Sequence, residues 1–277
     1  MSFRNDLFLG RFGLLPRHDD ADLMLDEPVA RMIGRRVCRH YGKEALTDGQ
    51  LETLLAAAQS APAKSDLQQY SIVVTDKAQQ RAISDMIGSM PWIADASRFL
   101  VFCADMRRGQ RAAEIRGRDY DSNTLDTFMN AAVDASLAMM AFITAADFKD
   151  LGTCPISAVR AHMEAVCDLL GLPDGVYPVA GLTLGYPMED GRFTLRLPSS
   201  VVVHHGKYDD SNLETELKAY DARRNAEQPI AVEKQMHKDD FGVSDDYGWT
   251  ENTARRLAKR EREAFGGFIR DHGFDLE

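Results

Sequence analysis

The sequence lacks the short motifs that mark several large classes of enzyme. Its 277 residues contain neither G-x-G-x-x-G nor G-x-x-x-x-G-K-[ST], so neither a Rossmann dinucleotide turn nor a P-loop is supported. The serine-hydrolase motif G-x-S-x-G and the zinc-protease motif H-E-x-x-H are also missing. No carboxylate or cysteine accompanies the His204-His205 pair at metal-ligand spacing, so we expect no metal site.

Cysteine and long apolar runs are also scarce. The four cysteines form no C-x-x-C pair, which indicates reduced thiols in the core of a cytoplasmic protein. The longest charge-free apolar run, 135–146, is shorter than a bilayer requires, and residues 1–30 have no apolar signal core. We therefore expect a cytoplasmic location and no membrane partner.

Positive charge is in deficit, because 33 Lys and Arg stand against 43 Asp and Glu, a net charge of −10. Without a broad positive field, non-specific binding to nucleic acid is disfavoured, and we expect no nucleic-acid partner. The hydrophobic fraction of 44% and the charged fraction of 27% are typical of a globular chain.

Hydrophobic patterning predicts strands that alternate with helices, which indicates an α/β or α+β domain. Thr47 and Gln50 form a capping box for a helix that should stop before Pro62. Further helices are predicted over 76–86, 124–148, 158–170 and 250–268, the third of these with Ser157 as its N-cap. The predicted strands are 70–75, 99–103, 179–184 and 201–204.

The predicted helix 124–148 is apolar nearly all round its middle, so it belongs in the core or at an oligomer interface. Residues 206–277 carry too few apolar residues for a core of their own. We predict three parts: an N-terminal arm over 1–30, a core domain over 31–205, and a C-terminal extension over 206–277 wrapped on the core.

Three arginines stand close together just before the first core helix. Arg35, Arg36 and Arg39 could bind a phosphate, since guanidinium groups contact phosphate oxygens in pairs. A solvated basic turn is the alternative that the cluster alone leaves open. Gln68, in a polar loop before a strand, could hydrogen-bond the edge of a flavin ring.

Five segments, in this order, resemble the FMN-dependent nitroreductase family, and within it the NADPH-preferring nitroreductases and flavin reductases with a C-terminal extension. Residues 35–41 (RRVCRHY) resemble its R-S-I-R-x-F/Y opening, and 56–68 (AAAQSAPAKSDLQ) its A-x-x-A-P-S-x-x-N-x-Q segment. The others are 151–156 (LGTCPI), 179–187 (VAGLTLGYP) and 195–198 (LRLP). The sequence departs from the pattern at Val37, Asp66, Thr194 and Ser157, where relatives carry Ser, Asn, Lys and Gly.

The resemblance implies an α+β fold with a central mixed sheet flanked by helices, in an intertwined homodimer with FMN at the interface. It implies phosphate binding by arginines, and hydrogen bonds from Ser65 and Gln68 to the ribityl chain or the ring edge, that of Ser65 from the other chain. It also implies that residues 155–157 pass over the flavin ring near N5. The implied FMN-binding residues are Arg35, Arg36, Val37, Arg39, Ala63, Ser65, Gln68, Pro155, Ile156, Ser157 and Arg196.

The implied activity is that of an FMN-dependent NAD(P)H oxidoreductase that reduces nitroaromatics, quinones or flavins by ping-pong hydride transfer through flavin N5. Such chemistry requires no catalytic side chain, and none is assigned. Arg223 and Arg224 are the candidates for the 2′-phosphate of the donor, NADPH, and a small-molecule oxidant is the other substrate. A flavin carrier or sensor without turnover, or a dehalogenase or flavin-breakdown relative, are the alternatives.

Overall fold

The computed structural model describes residues 3–15 and 25–276, so residues 16–24 of the predicted arm lie outside the described residues. Helices and a β-sheet alternate along the chain, as the sequence predicts. The α-helices are α1 (Phe3–Phe12), α2 (Glu27–Gly34), α3 (Asp48–Gln59), α4 (Lys77–Ile87), α5 (Arg107–Arg116), α6 (Leu125–Asp147), α7 (Met163–Leu170), α8 (Ser199–Val202), α9 (Leu213–Glu227), α10 (Lys238–Phe241), α11 (Trp249–Leu257) and α12 (Phe265–Asp271).

Four strands form one sheet in the order β1-β2-β4-β3, and each neighbouring pair is antiparallel. Within the described residues the sheet is therefore antiparallel, whereas the resemblance implies a mixed one. The chain leaves β1, passes through α4 and returns at the same end of the sheet, where Thr75 N–H donates to the Phe99 carbonyl at 3.1 Å. The strands are β1 (Tyr70–Val74), β2 (Arg98–Asp105), β3 (Gly152–Ile156) and β4 (Val176–Gly185).

Both faces of the sheet are covered by helices, and β2 lies at the centre of this packing. Its side chains alternate, so Leu100 and Phe102 pack on α3 and α6 on one face. Phe99 and Val101 join a second cluster on the other face, with Ile83 of α4. A strand that is buried on both faces has a continuous run of apolar residues. For this reason the position of β2 could be predicted from the sequence.

Local signals placed most element boundaries. Thr47 and Gln50 exchange both capping-box hydrogen bonds at 3.2 and 2.8 Å, and α3 ends at Gln59, before Pro62. Asp76 caps α4 in the same way, and Thr124 caps α6.

Three local predictions were wrong. Residues 201–204 are not a strand, because Ser199–Val202 forms one helical turn after Pro198. The β propensity of these side chains has no effect where no neighbouring strand is available for pairing. Ser157 caps no α-helix, since Ser157–Ala161 is a 3-10 turn and α7 begins at Met163. The predicted helix 250–268 is two helices, α11 and α12.

The chain divides into two compact units. The arm unit comprises Met1–Arg35 and Phe193–Glu261, and the sheet unit comprises Arg36–Arg192 and Arg262–Glu277. In the arm unit, Tyr220 of α9 is buried, stacks edge-on against Trp249 and donates to the Leu195 carbonyl at 2.9 Å. The three-part division at residues 30 and 205 stays a prediction.

α6 contains one buried carboxylate that the sequence analysis overlooked. Asp134 is 1% exposed, and its two oxygens accept the main-chain N–H groups of Lys64 and Gln69, each at 3.0 Å. By length and composition α6 could also cross a membrane, as core helices often could, and 33% of its apolar window is buried. The charge-free run 135–146 underestimated the length of the apolar helix, because α6 continues beyond it at both ends.

We expect Asp134→Asn to lower the free energy of unfolding by about 2–3 kcal/mol, because one buried N–H would then face an amide NH2 instead of a charged acceptor. Urea denaturation of the purified protein measures the change. Asp126→Asn, at an exposed position on the same helix, is the control and should cost less than about 1 kcal/mol. Equal losses in the two variants would contradict the role given to Asp134.

Candidate functional site

The segment 36–41, which carries Arg36 and Arg39 and is called the arginine segment below, lies along the outer edge of the sheet, beside β3. Cys38 N–H donates to the Thr153 carbonyl at 3.0 Å. The buried Tyr41 fixes the same segment, because its hydroxyl bonds the Cys38 carbonyl at 2.8 Å and Thr183 Oγ1 at 2.7 Å. Two of the segments that carry the resemblance, 35–41 and 151–156, are thereby held side by side.

This close approach depends on glycine at position 152. A Cβ there would lie 2.5 Å from the Cβ of Cys38 and 2.6 Å from its Sγ, far inside van der Waals contact. Any larger residue would push the arginine segment off the edge of β3. The glycine of the LGTCPI segment therefore has a packing reason.

Arg36 and Arg39 each contact a neighbouring side chain. Arg36 pairs with Asp190 at 3.5 Å, and Asp190 is 97% exposed, so this ion pair contributes little and can give way to a stronger anion. Arg39 is exposed and its guanidinium lies 6.0 Å from the ring centre of Trp92. Val37, where relatives carry Ser, packs its side chain against the apolar cluster of the sheet instead.

The end of β3 places Pro155 and Ser157 at the surface and Ile156 in the core. Because α7 begins only at Met163, the helix N-terminus predicted beside Ser157 is absent from this stretch. Positive charge comes from side chains instead: Arg262 Nη2 donates to Ser157 Oγ at 3.4 Å. Arg160 is close by, and burial together with Arg262 lowers the pKa of its guanidinium.

The loop with Ala63, Ser65 and Gln68 enters the sheet at β1 and has an unusual backbone. Ser65, Asp66 and Gln68 have φ values of 50°, 58° and 50°, in the left-handed region that costs non-glycine residues energy. Asp134 and Arg108 stabilise this conformation, and Arg108 donates to the Gln68 and Tyr70 carbonyls at 2.6 and 3.0 Å.

Gln68 and Asp66 are also joined through their side chains, since Gln68 Nε2 donates to Asp66 Oδ1 at 3.0 Å. The departure at Asp66 thus gives Gln68 a charged acceptor. Sequence reasoning missed Asp134 and Arg108; for Asp134 the one available signal was a carboxylate in the middle of an apolar helix.

The sheet keeps two groups of the predicted residues apart. Arg36, Arg39 and the end of β3 lie at one edge, whereas Ser65 and Gln68 lie beside β1 at the other. Three strand spacings separate β1 from β3, about 14 Å in all. One chain therefore does not bring the two groups together around one ring.

Arg35 and Arg196 belong to the arm unit. Arg35 follows α2, and its Nη1 is buried without a hydrogen-bond partner among the described residues. Arg196 is exposed, and its main-chain N–H donates to the Arg11 carbonyl at 2.8 Å.

Arg223 and Arg224 lie on α9 and are only half exposed. The Cδ of Arg223 lies 3.5 Å from the position that a Cβ on Gly13 would take, so this side chain packs on the end of α1. Arg224 Nη1 donates to the Tyr220 hydroxyl at 3.3 Å. Their role towards NADPH stays a prediction.

Two buried groups of the arginine segment, the Cys38 thiol and the Tyr41 hydroxyl, are poor acids. Burial raises the pKa of the Cys38 thiol and that of the Tyr41 hydroxyl, so both are neutral at pH 7. In residues 3–15 and 25–276 no three His, Cys, Asp or Glu side chains are grouped to hold a metal ion.

These features fit a flavin mononucleotide. In the sheet unit, Arg36 and Arg39 can reach a dianion at the surface. In the arm unit, the buried Nη1 of Arg35 is a donor without an acceptor among the described residues. The exposed end of β3 offers backbone and small side chains beside a flat ring. The chain itself would hold and orient the cofactor, and FMN would supply the redox chemistry.

Comparison with known proteins identifies relatives for nearly the whole chain. The sequence pattern of the nitroreductase family matches residues 32–186, and that of the nitroreductase family C-terminal domain matches residues 195–277. The chain is 35% identical over 202 residues to an FMN reductase [NAD(P)H] of Bacillus subtilis, covering 71% of this chain and 81% of that protein. It is 30% identical over 247 residues to an oxygen-insensitive NADPH nitroreductase of Salmonella typhimurium, covering 89% and 97% of the two chains.

Solved structures agree in fold. The structure of B. megaterium NfrA2 superposes with a TM-score of 0.82 at 29% identity, covering 91% of this chain and all of that one (100%). An NADPH:FMN oxidoreductase from Vibrio harveyi, solved with NAD+, gives a TM-score of 0.77 at 27% identity over 90% of this chain and 98% of its own. The predicted resemblance and α+β fold are confirmed: the chain belongs to the nitroreductase family.

Proposed function

We propose that the protein is an FMN-dependent NADPH oxidoreductase that reduces small-molecule oxidants such as nitroaromatics, quinones or flavins. The observation that carries the proposal is the arginine segment held against the end of β3 by the Cys38–Thr153 hydrogen bond and Gly152. This places cations for a phosphate next to the strand end that would pass over a flavin. The relatives' activities as FMN reductases and nitroreductases support the same reaction.

The polypeptide's part in this reaction is binding and orientation. A bound FMN would supply the redox chemistry between the reduced nicotinamide and the oxidant. Cys38 and Tyr41 have raised pKa values and stay protonated, so neither removes a proton from a substrate at neutral pH. Arg262 and Arg160 add positive charge beside Ser157, which favours electron density at that edge of the ring.

Turnover distinguishes this proposal from a flavin carrier or sensor. Purified protein should be yellow, should release FMN on heating, and should lose its absorbance near 450 nm when NADPH is added under argon. Release of FAD would contradict the assignment of FMN. A yellow protein that NADPH does not bleach would favour the carrier instead.

Phosphate binding is tested by Arg39→Met, which keeps the length of the side chain and removes its charge. We expect FMN affinity to fall by about 2–4 kcal/mol, because the phosphate carries close to two negative charges and loses a charge-assisted contact. Titration of the apoprotein with FMN, followed by flavin fluorescence, measures this. Arg81→Met, an exposed charge on α4, is the control and should leave the affinity within about twofold.

We further propose that the working unit is a homodimer. One face of α6 exposes a row of large apolar side chains at helical spacing, and the C-cap residue Phe148 extends it: Leu125, Met129, Val133, Leu137, Met140 and Phe148. A second copy is the partner that also accounts for the divided site. It would bring its own Ser65 and Gln68 to the arginines of the first chain, which one sheet holds at opposite edges.

A glutamate at Met140 should break this assembly, because a charge cannot be buried unpaired in an apolar interface. At micromolar concentration, light scattering should give a dimer for the wild type and a monomer for Met140→Glu, and the variant should lose its FMN as well. Ile115→Glu on α5 is the matched control, since Ile115 is 77% exposed outside this face. A wild-type monomer, or a monomeric variant that retains FMN, would contradict the shared site.

For the electron donor we propose that Arg223 and Arg224 contact the 2′-phosphate of NADPH. Replacing both with Met should raise the KM for NADPH about tenfold, or about 1.4 kcal/mol, and leave the KM for NADH nearly unchanged. Because Arg223 also packs at Gly13, an equal rise for both donors would indicate a packing role only. Double-reciprocal plots should be parallel, as ping-pong turnover requires.

A cytoplasmic location completes the proposal. All four cysteines, Cys38, Cys103, Cys154 and Cys167, are buried free thiols, which suits a reducing compartment.

A further inference from the structure

Arg11, on the N-terminal helix α1, is a buried arginine whose guanidinium donates to three main-chain carbonyls. The residue is 8% exposed. Its Nε donates to the Ile33 carbonyl at 2.9 Å, its Nη1 to the Thr194 carbonyl at 3.1 Å, and its Nη2 to the Arg35 carbonyl. One guanidinium therefore joins the end of α2 to the segment that begins at Phe193.

The main chain of Arg11 completes the connection. Its carbonyl accepts the N–H of Arg196 at 2.8 Å. Arg11 thus hydrogen-bonds directly to the backbone of Arg35 through its side chain and to that of Arg196 through its own backbone. These are the two arginines of the arm unit among the FMN-binding residues that the family resemblance implies.

The segment 193–196 is held from its other side too. Tyr220 of α9 donates to the Leu195 carbonyl at 2.9 Å, and Gln228, the residue after α9, donates to the Phe193 carbonyl at 2.6 Å. The Phe193 ring lies 5.1 Å from the guanidinium carbon of Arg11, which adds a cation–π contact. Arg196 therefore stands on a backbone that is fixed on both sides.

We propose that Arg11 is a positioning residue for the flavin phosphate: it sets the backbone from which Arg35 and Arg196 reach that group. This inference rests on the proposed FMN binding and assigns a role to the N-terminal arm. Arginine suits the position because its planar fork donates in three directions at once, which the single ammonium of lysine cannot reproduce at the same carbonyls.

A comparison of FMN with riboflavin tests the proposal, since the two ligands differ only in the phosphate. The apoprotein is titrated with each ligand and binding is followed by flavin fluorescence. We expect Arg11→Met to weaken FMN binding tenfold or more and riboflavin binding less than threefold. Equal weakening of both would mean that Arg11 supports the fold in general, and no weakening would mean that it supports neither arginine; both results overturn the proposal.

Arg11→Lys keeps the charge and is a second test that remains available if Arg11→Met does not fold. We expect it to weaken FMN binding by at least threefold, and this effect should shrink to within twofold when Arg196 is already replaced by Met. An undiminished effect in the Arg196→Met background would overturn the proposal. The control is Arg81→Met, which removes an exposed charge from α4.

The wild type separates this proposal from the function on which it rests. If the wild type binds riboflavin as tightly as FMN, the arginines do not bind the phosphate. Both the proposed FMN site and the role of Arg11 are then wrong. If it prefers FMN and Arg11→Met keeps that preference, only the role of Arg11 fails.

Discussion

The hydrogen bond from the Cys38 N–H to the Thr153 carbonyl is the contact on which the candidate site depends. It lays an arginine-bearing segment along the outer edge of β3, and it can form only because Gly152 has no side chain to displace Cys38. Tyr41 reinforces it through the Cys38 carbonyl and Thr183. Without this contact, Arg36 and Arg39 would be ordinary surface charges with no fixed relation to the end of the sheet.

Local sequence signals accounted for much of the fold, because the physics behind them is local. The capping box of Thr47 and Gln50 and the apolar run of β2 each depend on residues close together in the chain. Where a signal needed a distant partner, the prediction failed: residues 201–204 have strand-forming side chains but form a turn of helix. Ser157 likewise looks like a helix cap, yet its hydroxyl accepts a hydrogen bond from Arg262, more than a hundred residues away in sequence.

The candidate site likewise contains some residues that could be predicted from local sequence and others that could not. Arg36 and Arg39 could be proposed from their spacing and from the resemblance, because charge clusters are visible in sequence. Asp134 and Arg108 could not, since their partners are main-chain groups whose positions exist only in the folded chain. The unusual backbone conformation at Ser65 and Gln68 could not be predicted either. The residue types do not indicate it, and two side chains distant in sequence stabilise it.

The hydrogen bonds of Arg11 differ from an ion pair in one respect that bears on sequence change. Its acceptors are the carbonyls of Ile33, Arg35 and Thr194, and a carbonyl remains whichever side chain the residue carries. Thr194 is an example: its main-chain carbonyl is the acceptor, and the lysine of the family pattern that the chain resembles would supply the same carbonyl. The side chains around the arm can therefore drift over evolutionary time while the scaffold beneath them keeps its shape, provided that position 11 itself remains arginine.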